Sequence, residues 1–366
     1  MLKKLSVLFI VAAISLTCVP AFAADSDADK YLGYWALDLP GGGAGWMGVV
    51  KEYDPQGRAY LDAGILWGGG SVVQVGAAFL DQDGKLAITR TRTVNRGDKG
   101  SVREVRTDGS FVRENHLIAQ PNKNRTHTFV ELLLASVEGN YMELTRIIPS
   151  STLNGKMKIE KFSGKRIKDL PAAPDLDKVR YGDAIELFNG KNLDGWKLIN
   201  PRSVSGWFVE DGVLNNDPKQ EKGKPHVHYG NIRTESEFED FNLKLEAKVP
   251  AGGNSGIYLR GIYEVQVMES YGQPIDPHHM GSVYSRISPR VAAERPADVW
   301  QTVDITLCDR HVTVILNGIK IIDNEPLLGC TGGALTSDEF RPGPIYLQGD
   351  HTGVSYRNVI LTPIIK

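Results

Sequence analysis

Residues 252–270 read GGNSGIYLRGIYEVQVMES, and this stretch is the strongest indication of the fold. Two runs rich in aromatic and β-branched residues, 257–259 and 263–267, flank the pair Arg260-Gly261. Such residues favour strands, and a glycine between two strand-like runs marks a turn. The stretch therefore predicts two strands that meet at Arg260 and Gly261.

The second of these strands is polar on one face only. Side chains alternate between the two faces of a strand, so Val265 and Val267 share the apolar face. The opposite face carries a carboxylate, a carboxamide and a thioether, from Glu264, Gln266 and Met268. Tyr258 and Arg260 are expected to share one face of the first strand. This pattern predicts either a polar cleft or the solvated outer face of an antiparallel sheet.

The rest of the chain, which has 366 residues, also reads as all-β. Short strand-like runs such as 72–75, 241–249 and 312–316 alternate with turn signals such as Asp83-Gly84 and Asn317-Gly318. Long runs with helical periodicity are absent from the sequence. The predicted fold class is therefore all-β.

The predicted organisation is two β-domains joined by a linker. The first domain spans residues 25–165, the linker 166–183 and the second domain 184–366, and the linker contains Pro171 and Pro174, which stiffen it. For the first domain, a closed up-and-down barrel of lipocalin type and a second sandwich both fit. For the second, a double-sheet jelly roll is predicted. Residues 185–188 and 356–361 are expected to pair, which would bring the ends of this domain together.

The first 23 residues have the pattern of an export signal. Two lysines precede the apolar run 5–19, and Ala21-Phe22-Ala23 supplies small residues at the cleavage positions. The predicted location is periplasmic or secreted. Cys18 leaves lipid attachment as an alternative, although Thr17 precedes it instead of the usual small residue.

Composition excludes several classes of partner. The formal net charge is −2 and there is no basic stripe, so no nucleic-acid partner is predicted. No later apolar run approaches the ~20 residues of a membrane helix, so no membrane span is predicted. In an oxidising compartment Cys308 and Cys330 could form a bridge, or they could be two separate buried thiols.

A series of motifs in the second domain resembles one family over residues 185–363. The motifs are LFNGKNLDGW at 187–196, GNSGI at 253–257, YEVQ at 263–266, GSVY at 281–284 and IYLQ at 345–348, followed by His351. In this order they resemble the 3-keto-disaccharide hydrolase domain family. The resemblance implies a concanavalin-like jelly roll and a secreted enzyme that cleaves glycosides already oxidised at C3. The usual Leu-Gln-Asp-His of the family is interrupted here by Gly349. The resemblance does not cover residues 25–165.

Cleavage of such a substrate calls for acid–base groups, because a ketone at C3 acidifies the proton on C2. The candidate catalytic residues are Glu264 as the base, His351 as a further acid or base, and Arg260 as a stabiliser of the enolate. An ion pair between Glu264 and Arg260 is the structural alternative. The candidate residues for binding an oligosaccharide or glycoside substrate are Gln266, Tyr258, Tyr284, His278, Gln348 and Glu269.

No redox cofactor is required, because the ketone arrives with the substrate. A divalent metal could polarise the C3 carbonyl. Its ligands are unknown from sequence: Asp276 or Asp350 could hold a hard cation, and His226 with His228 could offer two nitrogen ligands.

Two other functions fit the same residues. Glu264 to Glu269 is similar to the Glu-x-Asp-x-x-Glu signature of jelly-roll β-glucanases, with Gln266 in place of the middle aspartate. That similarity implies a retaining endoglycosidase that uses Glu264 and Glu269. The third hypothesis is a carbohydrate-binding protein without catalysis, because a fold of this kind does not by itself imply an enzyme.

Overall fold

The computed structural model describes residues 26–95, 104–107, 110–113, 126–150 and 155–365. These ranges contain one short helix, α1 (Ser26–Asp29), and otherwise strands, which confirms the all-β prediction. Within them no helix is both long and apolar enough to cross a membrane. The export signal predicted for residues 1–23 and Cys18 lie outside the described residues, so export stays a prediction.

The first eleven strands build a closed barrel with two small additions. Each barrel strand pairs antiparallel with the next one, and the last pairs back with the first, so the barrel leaves no open edge. Of the two alternatives for this region, the up-and-down barrel is therefore correct. The barrel strands are β1 (Gly33–Asp38), β2 (Ala44–Tyr53), β3 (Ala59–Trp67), β5 (Ala77–Leu80), β6 (Leu86–Asn95), β9 (Thr126–Glu138), β10 (Tyr141–Ile148) and β11 (Lys158–Arg166). The additions are β4 (Val73–Gln74) on β3, and the hairpin of β7 (Glu104–Thr107) and β8 (Ser110–Arg113).

Alternate side chains of these strands fill the barrel. Trp35, Met47, Ile65, Ile88 and Leu133 point inward and are fully buried. An eight-stranded barrel is narrow enough for side chains to fill it. The barrel interior is therefore an apolar core over much of its length.

One region of the barrel interior is charged instead. The guanidinium of Arg146 donates to both carboxylate oxygens of Glu131 and, at 2.9 Å, to Glu160. The side chains of Arg146 and Glu131 are 9% and 0% exposed, so this ion pair is shielded from water. Arg146 also lies over the ring of Trp67, 4.4 Å from its centroid.

We expect Glu131→Ala to destabilise the barrel by about 3 kcal/mol, because it leaves the buried Arg146 with an incomplete set of acceptors. Urea unfolding of the variant and the unaltered protein measures the difference. Glu143→Ala is the matched control, since Glu143 is exposed on the same strand as Arg146. Equal losses in the two variants would show that burial of the pair does not matter.

The second region is a sandwich of two sheets. The larger sheet consists of β12 (Arg180–Tyr181), β13 (Ile185–Glu186), β15 (Trp207–Glu210), β16 (Val213–Asn216), β18 (Phe241–Lys248), β21 (Gln301–Cys308), β22 (His311–Leu316), β23 (Ile319–Pro326) and β25 (Val354–Ile365). The smaller consists of β14 (Trp196–Leu198), β17 (Ile232–Thr234), β19 (Asn254–Leu259), β20 (Tyr263–Met268) and β24 (Tyr346–Leu347). The larger sheet has the order β15-β16-β25-β18-β21-β22-β23, with β12 and β13 also paired to β25, and the smaller has the order β14-β17-β24-β19-β20. The predicted pairing of the domain ends is confirmed by Ile185 opposite Leu361.

The core of the sandwich lies between the two sheets. Leu243 and Ile305 of the larger sheet and Ile257, Val265 and Leu347 of the smaller belong to one buried cluster. Because side chains alternate along a strand, the outer face of the smaller sheet receives the intervening polar residues. This alternation positions the candidate site.

Of the two interpretations of Cys308 and Cys330, the bridged one is wrong, since no disulfide joins them and both thiols are buried. Cys308 ends β21, whereas Cys330 lies in a loop beneath Arg286, whose guanidinium donates to the Cys330 carbonyl. Burial raises the pKa of the Cys330 thiol to about 12. This cysteine is therefore held as an apolar core residue and not as a reactive group.

The outer surface of the barrel packs onto the sandwich. Trp46 and Leu66 point out of the barrel and join the buried cluster of the sandwich. Arg286 of the sandwich lies over the Trp46 ring, 4.2 Å from its centroid. The barrel and the sandwich therefore bury apolar surface against each other, and this contact holds the loops of the barrel beside the smaller sheet.

Candidate active site

The site is built around the hairpin of β19 and β20. Its turn places Arg260 and Gly261 in the left-handed region, with φ of 56° and 66°, and the Ile262 amide donates to the Leu259 carbonyl at 3.0 Å. Two left-handed residues between the strands form a type I′ turn, which suits the twist of a two-stranded hairpin. The prediction that two strands meet at Arg260 and Gly261 is thus confirmed; the hairpin spans residues 254–268, with Tyr258 opposite Glu264.

The side chain of Arg260 does not lie where the sequence predicts, on the same strand face as Tyr258. Strand alternation ends at Leu259, and the turn directs the buried guanidinium away from the face that carries Tyr258. Its nitrogens donate to the backbone carbonyls of Glu339 and Arg341. Arg260 therefore braces a neighbouring loop. Among the described residues it forms no ion pair with Glu264, and it does not line the cleft.

A polar cleft lies on the outer face of the smaller sheet. Its volume is about 340 Å³, within the usual range for ligand pockets. The sandwich supplies most of the lining, and the barrel adds two glycines from the loop after β3. The lining residues are Gly69, Gly70, Asn231, Asn254, Tyr258, Glu264, Gln266, Tyr284, Gly332, Gly333, Tyr346, Gln348, Asp350 and His351. Of the two interpretations of the polar strand face, the cleft is correct.

Glu264 is the most deeply buried acid in the cleft, with 3% of its surface exposed. Burial raises the pKa of its carboxyl group to about 8, against a smaller lowering by the hydrogen bond from Tyr258. The diagonal position on β19, opposite Gln266, is kept open by Gly256, because a β-carbon there would overlap Oε1 of Glu264. The glycine of the Asn254-Ser255-Gly256 motif therefore makes space for the carboxyl group.

The hydroxyl of Tyr258 links the protonation of Glu264 to the backbone. It lies 2.8 Å from Oε2 of Glu264 and 2.7 Å from the carbonyl oxygen of Gly332. A phenol has one proton to donate. The phenol proton is therefore donated either to the Glu264 carboxylate or to the Gly332 carbonyl. Donation to Glu264 stabilises its ionised form and lowers the pKa, but this effect is smaller than the raising by burial.

Asp350 and His351 form a second acid–base unit in the cleft. Nδ1 of His351 lies 2.7 Å from Oδ1 of Asp350, and this contact raises the pKa of His351 above its ordinary value. The loop is held by Asn231, whose side-chain oxygen accepts from the amides of Gly349 and Asp350 at 2.7 and 3.1 Å. The additional Gly349 is thus accommodated, and His351 still lines the cleft.

Two carboxamide oxygens in the cleft accept no hydrogen bond within the described structure. They are Oε1 of Gln266 and Oε1 of Gln348, both buried. The amide nitrogen of Gln266 donates to Asn254 and to the His278 carbonyl at 3.2 and 3.0 Å, which fixes its orientation. A buried acceptor without a donor is costly, so these oxygens suit a ligand rich in hydroxyl groups.

Two residues predicted from sequence, His278 and Glu269, do not line the cleft, whereas Tyr284 does. The imidazole of His278 contacts the ring of Tyr284, with centroids 5.0 Å apart, and it is held between Asp276 and Ser71. Glu269 follows the end of β20, and its carboxylate accepts from the Gly252 amide at 3.4 Å instead of lining the cleft. The cause is that no bulge follows Met268 to return Glu269 to the face of Glu264.

Metal binding by the cleft residues stays a hypothesis. Asp350 and His351 offer two ligands, and the exposed rings of His226 and His228 lie 5.1 Å apart but do not line the cleft. Within the described residues, Asp240, Cys308 and Asp309 lie close enough to one another to share an ion, in a different part of the sandwich.

Sequence reasoning missed several residues of the cleft. Tyr346 stacks on Tyr258 with ring centroids 4.0 Å apart, and Asn231 donates to the Tyr346 hydroxyl at 3.0 Å. The signal for Tyr346 was available, since it alternates with the predicted Gln348. Nothing near Asn231 or Gly69 marks them as cleft residues, because they arrive from separate segments and contact the site only in the folded chain.

The fold and the cleft together define a β-sandwich protein with paired acid–base groups and acceptors for hydroxyl-rich ligands. Residues 183–362 match the family model described as the 3-keto-alpha-glucoside-1,2-lyase-like domain. This part of the chain belongs to that family, which is a carbohydrate-active, hydrolase-like one.

Individual relatives show partial similarity. A 3-keto-disaccharide hydrolase from Bacteroides thetaiotaomicron is 33% identical over 75 residues, which are 20% of this chain and 26% of that relative. The chain thus spans about a quarter of the curated relative that it matches. A solved structure of a proposed glycosyl hydrolase from Parabacteroides distasonis is 31% identical, with a TM-score of 0.42, covering 53% of this chain and 93% of that one. A second from the same organism is 23% identical, with a TM-score of 0.40, covering 50% and 94%.

Proposed function

We propose that this protein cleaves 3-keto-glycosides by removing the C2 proton, eliminating the C1 oxygen and adding water. The observation that carries the proposal is that Glu264, with its pKa raised to about 8, lines the same cleft as the His351–Asp350 pair. Elimination needs one group that accepts the C2 proton and another that protonates the leaving oxygen. The cleft offers one candidate for each task.

The proposed steps balance as follows. Glu264 accepts the proton from C2, and the electrons of that bond form the enolate of the C3 ketone. The enolate expels the C1 oxygen, a double bond forms between C1 and C2, and the imidazolium of His351 protonates the leaving oxygen. Water then adds to C1, C2 regains a proton, and the free 3-keto sugar results.

The pKa shifts support this pair. Burial raises the pKa of Glu264 to about 8, and Asp350 raises the pKa of His351 from its ordinary value near neutrality. General acids and bases work best when their pKa values lie near the operating pH. A carboxylate with a raised pKa is also a stronger base than an ordinary one once it has ionised.

The remaining cleft residues serve binding in this proposal. Gln266 and Gln348 accept hydrogen bonds from sugar hydroxyls, and Tyr258 and Tyr284 bound the sugar ring. The ketone of the substrate supplies the activation, so the reaction needs no redox cofactor. A divalent metal held by Asp350 would polarise the C3 carbonyl, but His351 could not be its ligand while it acts as the imidazolium acid.

The decisive test compares a 3-keto-glucoside with its unoxidised parent glucoside. We expect the purified protein to release the aglycone from the 3-keto-glucoside and to leave the parent intact, because only the ketone acidifies the C2 proton. Release is followed by chromatography without added nicotinamide cofactor. Equal rates on the two compounds would overturn the elimination mechanism.

The rival functions are less well supported. A retaining endoglycosidase needs two carboxyl groups about 5–5.5 Å apart across the scissile bond, and Glu269 does not line the cleft with Glu264. A binding protein without catalysis would bind the keto-glycoside and leave it intact in the same assay.

A further inference from the structure

The barrel supplies part of the sugar cleft through the loop that joins β3 to β4. Gly69 and Gly70 of this loop line the cleft together with Gly332 and Gly333 of the sandwich. The loop is close to the proposed base, Glu264. Its neighbour Gly332 accepts a hydrogen bond from Tyr258, and Tyr258 also contacts Glu264. The barrel is therefore a component of the site and not a separate appendage.

Several contacts fix this loop against the sandwich. The Gly333 amide donates to the Gly68 carbonyl at 3.1 Å, and the Val72 amide donates to the Ser285 hydroxyl at 3.1 Å. Gly332 packs so closely on the Gly70 carbonyl that a β-carbon on Gly332 would overlap it. The loop wall, defined here as residues 68–71, thus has a set position at the cleft.

A chain of three polar side chains ties the end of the loop wall to the sandwich. Nε2 of His278 lies 2.8 Å from the Ser71 hydroxyl, and Nδ1 of His278 lies 2.6 Å from Oδ1 of Asp276. Gln266, a cleft residue, donates to the carbonyl of the same histidine. The position of the loop wall is therefore connected to a residue that faces the ligand.

We infer that the loop wall determines which glycosides the cleft accepts, by limiting the size of the group attached to the keto sugar. The sandwich supplies the acid, the base and the carboxamide acceptors, whereas the wall presents two glycines without side chains. Glycines at a cleft surface provide space instead of side-chain contacts. In this inference, the space beside the two glycines holds the leaving group of the substrate. The expected leaving group is a second sugar unit. This inference rests on the proposed function.

The test is a change of side-chain size at Gly69. Gly69 has no positive φ and no atom within 4 Å of the position of a β-carbon, so a side chain there enters open space without backbone strain. Gly41 shares both properties on the barrel loop between β1 and β2, outside the cleft, and Gly41→Trp is the matched control.

We expect Gly69→Trp to lower kcat/KM for a 3-keto-disaccharide at least about tenfold and to change that for a methyl 3-keto-glucoside no more than about threefold. Gly69→Ala should also lower kcat/KM more for the disaccharide than for the methyl glucoside, but by less than Gly69→Trp. Gly41→Trp should match the unaltered protein on both substrates. Equal losses on both substrates, or no loss on either, would overturn the inference. Thermal melting identifies a variant that has failed to fold, in which case Gly69→Ala decides.

The anchor of the wall gives an independent measurement. Ser71→Ala removes the hydroxyl that contacts His278, and losing one such hydrogen bond should raise KM for the disaccharide about threefold to tenfold with kcat little changed. Ser71→Thr keeps a hydroxyl and should restore KM. A fall in kcat alone would contradict a role in accommodating the leaving group.

Failure of the proposed function is distinguishable from failure of this inference. If the unaltered protein leaves both keto-glycosides intact, the proposed function is wrong. The wall is then tested by calorimetric binding of glucose and an unoxidised glucose disaccharide to the same variants. Selective loss of disaccharide binding in Gly69→Trp would support the wall, and equal binding by all variants would overturn it.

Discussion

Replacing Glu264 by glutamine is expected to lower turnover of a 3-keto-glucoside by about 10²–10⁴-fold, the usual contribution of a general base. The substitution preserves the shape of the side chain beside Gly256 and keeps a partner for Tyr258, but it removes the proton acceptor. Exchange of the C2 hydrogen with deuterated water should be lost together with turnover. Exchange at the unaltered rate in the variant would assign the base to another residue.

Glu269→Gln is the matched control for this experiment. Its carboxylate belongs to the same hairpin but lies outside the cleft, so turnover should stay close to that of the unaltered protein. The pH dependence gives a second measurement. Glu264 must be ionised to act as a base, and its pKa is raised to about 8. For a 3-keto-glucoside whose leaving group needs no protonation, such as 4-nitrophenyl, kcat/KM should therefore rise with pH up to about that value. A decline over the same interval would instead mark Glu264 as the acid.

Replacing His351 by asparagine is expected to have an effect that depends on the leaving group. Asparagine keeps a hydrogen-bond donor for Asp350 but cannot protonate the departing oxygen. For methyl 3-keto-glucoside, a poor leaving group, turnover should fall by about 10²–10⁴-fold. For 4-nitrophenyl 3-keto-glucoside, which departs as a stable anion, the loss should be about tenfold or less.

The same two substrates separate the roles of the two residues. Loss of a base affects both substrates alike, so Glu264→Gln should show little dependence on the leaving group. If the dependence is found in Glu264→Gln and not in His351→Asn, the acid and the base exchange roles. His226→Asn is the control, because His226 is exposed and outside the cleft.

The sequence was sufficient for the all-β class, the hairpin at residues 254–268 and the polar face of its second strand. The reason is local: strand alternation has a period of two, so Glu264 and Gln266 share a face wherever the strand lies. The same rule failed at Arg260, because a left-handed turn residue ends the alternation. The predicted binding role of Glu269 is not supported, because Glu269 is an odd number of residues from Glu264 and the hairpin register has no bulge to bring it to the same face.

The tertiary structure decided what surrounds that face. Asn231 and the segment from Tyr346 to Asp350 come from two other parts of the chain, and the Gly69–Gly70 wall comes from a barrel about 200 residues earlier in the chain. Burial, which raises the pKa of Glu264, is produced by all of these elements together. A single sequence carries side-chain types and their local periodicity, whereas desolvation and contacts between distant segments exist only once the chain has packed. The sequence therefore determined the acid, the amide and the strand that holds them, and the packing decided their protonation and their neighbours.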